Sequence, residues 1–171
     1  MQQLWPHKGV MPKIGKNVFI APGAHIIGDV EIGDECNIWY NCVLRGDVNN
    51  IKIGARTNIQ DGTVIHVSTF GQGTYIGSDV TVGHMALLHA CTVEDAAFIG
   101  MGATVMDDAY VEKGGMVAAG ALVTPGKRVL SGQLWAGRPA RFMREVSAEE
   151  KKNIEWTAGH YVDLARHYLQ K

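Results

Sequence analysis

Aliphatic residues recur at every sixth position over most of this chain. Ile14, Ile20, Ile26, Ile32, Ile38 and Leu44 form one unbroken run, and Val93, Ile99, Val105, Val111, Val117 and Val123 form another. Between them stand the triplets Ile53, Ile59, Ile65 and Ile76, Val82, Leu88. Four residues after most of these positions sits a small side chain, as at Ala24, Cys36, Cys42, Thr57, Ala86, Ala103 and Ala121. A period of six fits neither an α-helix, at 3.6 residues per turn, nor a meander of hairpins with unequal turns. It fits a coil of three short flat faces, with the aliphatic residue filling the inside of each face. The eighteen aliphatic positions then predict about six turns, joined by parallel-strand hydrogen bonds at ~4.8 Å spacing. The fold expected is an all-β solenoid, a parallel β-helix.

The pattern also marks where the coil is interrupted. Leu44 to Ile53 is nine residues, Ile65 to Ile76 eleven and Leu88 to Val93 five. Departures from a regular solenoid are the expected seat of function. After Pro125 the sequence reads as an extended tail. Ser147 and Glu150 then form a capping box, followed by Ile154, Ala158, Tyr161, Ala165 and Tyr168 at helical spacing. The organisation expected is one domain over 1–171. Residues 10–126 form the solenoid, 127–146 the tail and 147–170 a C-terminal α-helix.

Composition supports a β-rich reading. Ile and Val number 30 against nine Leu, and 21 of the 171 residues are Gly. Sixteen basic and 17 acidic residues give a formal charge of -1, without the basic excess that binding to nucleic acid or an anionic membrane needs. No apolar run reaches the ~18 residues that span a bilayer, and no secretory leader is visible. Three cysteines, an odd number, fit reduced thiols in the cytoplasm.

The candidate chemistry lies in three of the seven histidines. His66 follows Ile65 and His89 follows Leu88, one full turn apart, so the two stack at one corner, with Arg45 a further turn below. His84 lies two residues after Val82, about a third of a turn away. It cannot easily converge with the stacked pair inside one chain, whereas a neighbour related by a threefold axis could supply it. Spacing thus predicts a homotrimer with interfacial sites. Gln60 shares the face of His84. Three imidazoles and an open position describe a catalytic Zn²⁺ site, and Fe²⁺ or Co²⁺ also fits. His7, His25, His160 and His167 are read as ordinary surface histidines.

Arg45-Gly46-Asp47, Asn58-Ile59-Gln60-Asp61-Gly62, His66, Gly83-His84 and Leu88-His89-Ala90-Cys91 together resemble the γ-class carbonic anhydrase family. Gly100-Met101-Gly102-Ala103 and Ala136-Gly137-Arg138-Pro139-Ala140 match it too. The resemblance implies a left-handed coil and interconversion of CO₂ and bicarbonate. It implies that His66, His84 and His89 hold the metal and that Gln60 bonds the reacting water. It further implies an Arg45–Asp47 ion pair across the subunit interface, and Asn58 and Asp61 as groups that fix their neighbours. Tyr161 is a candidate to reach a neighbour's site, although core packing explains it as well. The best-characterised members carry a glutamate where Val48 stands and another in an acidic loop after the first histidine, whereas this chain is most similar to the short bacterial group that lacks that loop. Here the stretch from Val67 to Tyr75 holds no acid, so weak or buffer-dependent activity is expected. Two alternatives stay open: a hexapeptide acyltransferase with one histidine as base, and a non-enzymatic metal-binding or assembly trimer.

Overall fold

The computed structural model describes residues 3–170. Its strands pair in parallel register along three faces of a solenoid. The first face stacks Leu4, Ile26, Leu44, Ile65, Leu88, Val105 and Val123. The second stacks Ile14, Ile32, Ile53, Ile76, Val93, Val111 and Val129. The third stacks Ile20, Ile38, Ile59, Val82, Ile99, Val117 and Trp135. Each stack has seven members, so the solenoid has about seven turns rather than six. Leu4 opens the stack outside the counted repeat, and Val129 and Trp135 extend it past Pro125. Both keep the six-residue step, but Trp135 substitutes an aromatic for the aliphatic residue. Residues 127–146 are therefore only partly a tail. Gln133–Gly137 is a rung, and Ala140–Glu145 folds back on it antiparallel, at the end of the third face.

The stacked aliphatic residues are the core. Ile26, Leu44, Ile65, Leu88, Ile59 and Ile99 are fully buried, each contributing about 1.5–3 kcal/mol of hydrophobic stabilisation. Sharp corners need left-handed backbone. The corner between the second and third faces places Asn17, Glu35, Arg56, Asp79 and Ala96 there, with φ between 53° and 58°. Each non-glycine residue in that conformation costs about 1–2 kcal/mol, which the ladder hydrogen bonds of the rung offset. Just before this kind of turn neighbouring rungs approach closely. A Cβ on Gly100 would lie 2.4 Å from the Ala119 nitrogen, so no side chain fits.

The helix spans Ala148–Leu169, and the Ser147–Glu150 capping box forms in full. At ~1.5 Å per residue it runs ~33 Å, about the height of the solenoid. It buries Ile154, Ala158, Val162 and Ala165 against the third face. Its N-terminal half meets Leu134 and Val146, and its C-terminal half meets Phe19 and Trp39. An Arg166–Glu35 ion pair at 2.7 Å ties down its end. Among the described residues no helix is long and apolar enough to cross a membrane. The three cysteines are free and buried, and burial pushes their thiols up to about 12.

Candidate metal centre

Irregular steps in the repeat build the first half of the site, at the corner after the first face. Pairing passes from Gly28–Gly46 directly to Val30–Ile51, so three extra residues bulge out of the long strand Val43–Ile53. The bulge begins at Asp47 and frees its carboxylate. On the next rung, the excursion after His66 folds over the same corner. Asn49 Nδ2 donates to the carbonyls of Ser68 and Gly71, and Thr74 Oγ1 donates to the His66 carbonyl at 2.6 Å. His66 and His89 are directly paired in register. Their rings lie 5.2 Å apart between centroids, with His66 Nδ1 3.3 Å from His89 Nε2.

The outer nitrogen of each ring is held by a carboxylate. His66 Nε2 donates to Asp47 Oδ1 at 2.9 Å, and His89 Nδ1 donates to Asp107 Oδ2 at 3.0 Å. When both rings are neutral, the two nitrogens that face each other therefore both carry lone pairs. Left alone, two such lone pairs repel, so the geometry asks for a cation between them. Two imidazole nitrogens at ~2.0–2.1 Å from a tetrahedral ion lie ~3.3–3.4 Å apart, which matches the observed spacing. Carboxylates behind ligating imidazoles fix tautomer and orientation in this way. Asp47 also forms an ion pair with Arg45 of the same chain. The two residues are two apart on one strand and point the same way. Burial opposes the charge on Asp47, but hydrogen bonds from His66 and Arg45 and the Arg45 charge outweigh it and hold the carboxyl at about 2.

The second half lies at the corner before the first face. His84 sits in the turn there, next to Met85 in left-handed conformation (φ 58°). Its Nδ1 is 2.9 Å from Asp61 Oδ2. Gln60 and Asp61 occupy the rung below, tied by Gln60 N to the Val82 carbonyl and Met85 N to the Asp61 carbonyl. Gln60 is buried, and its Nε2 donates to Asn58 Oδ1 at 3.0 Å; Asn58 Nδ2 donates in turn to Thr81 Oγ1 at 2.8 Å. Tyr161 packs edge-on against Trp39 at 5.6 Å. Burial, and then the nearby Asp61 charge, raises its hydroxyl above the usual tyrosine range.

The chain thus brings together His66, His89, Arg45 and Asp47 at one corner, and His84, Gln60, Asn58, Asp61 and Tyr161 at another. It does not join the two sets: the chain turns at Met85 between His84 and the strand Leu87–His89, which leaves His84 at one corner and His89 at the next. Among the described residues no three potential ligands converge on one point. Sequence reasoning missed Asp107, although it lies two residues after Val105, the residue stacked on Leu88.

Residues 11–46 match the bacterial transferase hexapeptide (six repeats) family. The probable carbonic anhydrase of Methanocaldococcus jannaschii is 54% identical over 152 residues, covering 89% of this chain and 95% of that protein. Gamma carbonic anhydrase 2, mitochondrial, of Arabidopsis thaliana is 53% identical over 160 residues and 91% of this chain. This chain belongs to the γ-class carbonic anhydrase family. It spans 58% of the plant protein's length. A hexapeptide transferase family protein from Anaplasma phagocytophilum superposes on this γ-class chain with a TM-score of 0.93 at 51% identity, over 97% of this chain and 98% of that one.

Proposed function

We propose that this chain catalyses the reversible hydration of CO₂ to bicarbonate as a homotrimer. In this reading a divalent metal ion is held by His66 and His89 of one chain and His84 of the next. The observation that carries it is the His66–His89 pair, whose facing nitrogens are spaced for one ion and whose outer nitrogens rest on Asp47 and Asp107. His84 adds support. It is 41% exposed in its side chain, and Asp61 engages its Nδ1 at 2.9 Å. A Zn²⁺ ion there, or Fe²⁺ or Co²⁺, lowers the pKa of a coordinated water toward ~7 and so supplies hydroxide at neutral pH. Arg45 and Asp47 hold the His66 ring in place. Asn58 fixes the Gln60 amide, which hydrogen-bonds the reacting water, and Tyr161 lies within range of the Asp61 charge. Buried reduced thiols suit a cytoplasmic setting.

Stopped-flow CO₂ hydration tests this on protein purified without oxygen and loaded with Zn²⁺ or Fe²⁺, with His84→Ala as blank. Activity above the blank is expected. Mixing His84→Ala with His66→Ala subunits should restore part of it, because some interfaces of the mixed trimers regain all three histidines. A non-enzymatic metal-binding trimer is the second reading, favoured by Val48 and the acid-free segment 67–75. Rates equal to the blank, with metal bound and trimer intact, would establish it instead.

A further inference from the structure

Hydration releases a proton that must reach solvent, and Val48, next to Asp47, cannot carry one. The structure brings a different titratable group to this place. His7, Lys8, Asp29, Asp47, Val48 and Asn49 line one cavity of about 230 Å³. The N-terminal arm is fixed there by pairing of Leu4 and Trp5 with Ile26 and Ile27. Reciprocal hydrogen bonds of 3.0 and 2.9 Å between the His7 and Val10 backbones close a turn through Lys8 and Gly9. Gly28 makes room for the imidazole: a Cβ there would lie 3.2 Å from His7 Cβ. Asp47 borders the cavity and also holds the outer nitrogen of the His66 ring, so it links the cavity to the candidate metal centre.

We infer that His7 relays the hydration proton from the metal centre to solvent. The inference rests on the carbonic anhydrase reading. Imidazole is the side chain suited to exchanging protons near neutrality, and the cavity has room for water to bridge the path. The charged groups facing His7 are Lys8 on its own arm, Asp29, and Asp47, whose charge Arg45 partly neutralises. CO₂ and water give bicarbonate and a proton. That proton adds to the free ring nitrogen of His7, giving imidazolium, and leaves to a buffer base that restores the neutral ring. No electrons are exchanged.

His7→Gln keeps a similar bulk but cannot titrate. At low buffer its kcat should fall about 100-fold while kcat/KM holds, and added imidazole should restore kcat. A second change, Val48→Glu in the His7→Gln chain, should recover kcat by returning an acid to the same cavity. Independently of turnover, NMR of the histidine rings should show Zn²⁺ loading moving the His7 signals and leaving those of His167 unchanged. An active wild type with unchanged kcat in His7→Gln, or a parallel fall in kcat and kcat/KM, overturns the relay alone. A wild type that binds metal and does not hydrate CO₂ overturns the relay together with the reading beneath it.

Discussion

Two stretches of the same solenoid behave differently. From Val93 to Val123 the aliphatic residue returns every six positions, and the inward residues Val93, Ile99, Val105, Val111, Val117 and Val123 are almost wholly buried. From Leu44 to Val93 the step is broken three times, by two insertions and a deletion. That stretch holds all three candidate ligands. Its core is buried just as well, with Ile59, Ile65, Val82 and Leu88 inaccessible. The irregularity is confined to corners, where residues leave the ladder without disturbing the stack. In a solenoid each rung depends on its neighbours alone, so the regular rungs carry stability and a corner can bulge to aim a side chain.

Substitutions in the two stretches should therefore have opposite signatures. The largest effect belongs to His84→Ala. CO₂ hydration should fall by about 10³-fold with loss of bound metal, measured by stopped flow and elemental analysis, while the metal-free chain melts as before. Ile99→Ala in the regular stretch should do the reverse. It should cost about 2–5 kcal/mol of unfolding free energy, read from denaturant titration, with metal content per folded chain unchanged. Asp107→Asn tests the support behind His89. Metal affinity should weaken about 10- to 100-fold by competition with a chelator, with little change in stability.

The smallest effect lies far from both stretches, at the helix start. A side-chain hydrogen bond from Arg144 and the Ser147 backbone N–H hold the Glu150 carboxyl down at about 2, from an ordinary 4.5. A depressed folded-state pKa means the stabilisation is present above 4.5 and is lost as pH falls toward 2. Wild-type Tm should thus drop more than that of Glu150→Gln across that window. Equal slopes in the two proteins would show that the capping box contributes nothing through charge.

Much of this was legible in the sequence because a solenoid is nearly one-dimensional. Counting in sixes gives the neighbour above and below, which is how His66 and His89 were placed together and His84 apart. The count failed where side-chain type broke the pattern. Trp135 continues the third face, yet an aromatic does not look like a member of an aliphatic repeat. Asp107 escaped notice because the missing residue between Leu88 and Val93 shifts the spacing beyond His89. His7 precedes the repeat, so nothing in its spacing ties it to Val48.

By itself the sequence determined the coil, its core, the capped helix and the division of the histidines into a pair and a single residue. All of these follow from periodicity, since burial of one residue in six repeats identically on each face. Only the tertiary structure decided which nitrogen each stacked ring keeps free, the pairing of Arg45 with Asp47 inside one chain, and the cavity shared by His7 and Val48. Those depend on how far inserted residues bulge and which way side chains turn once they leave the ladder, and no period governs either.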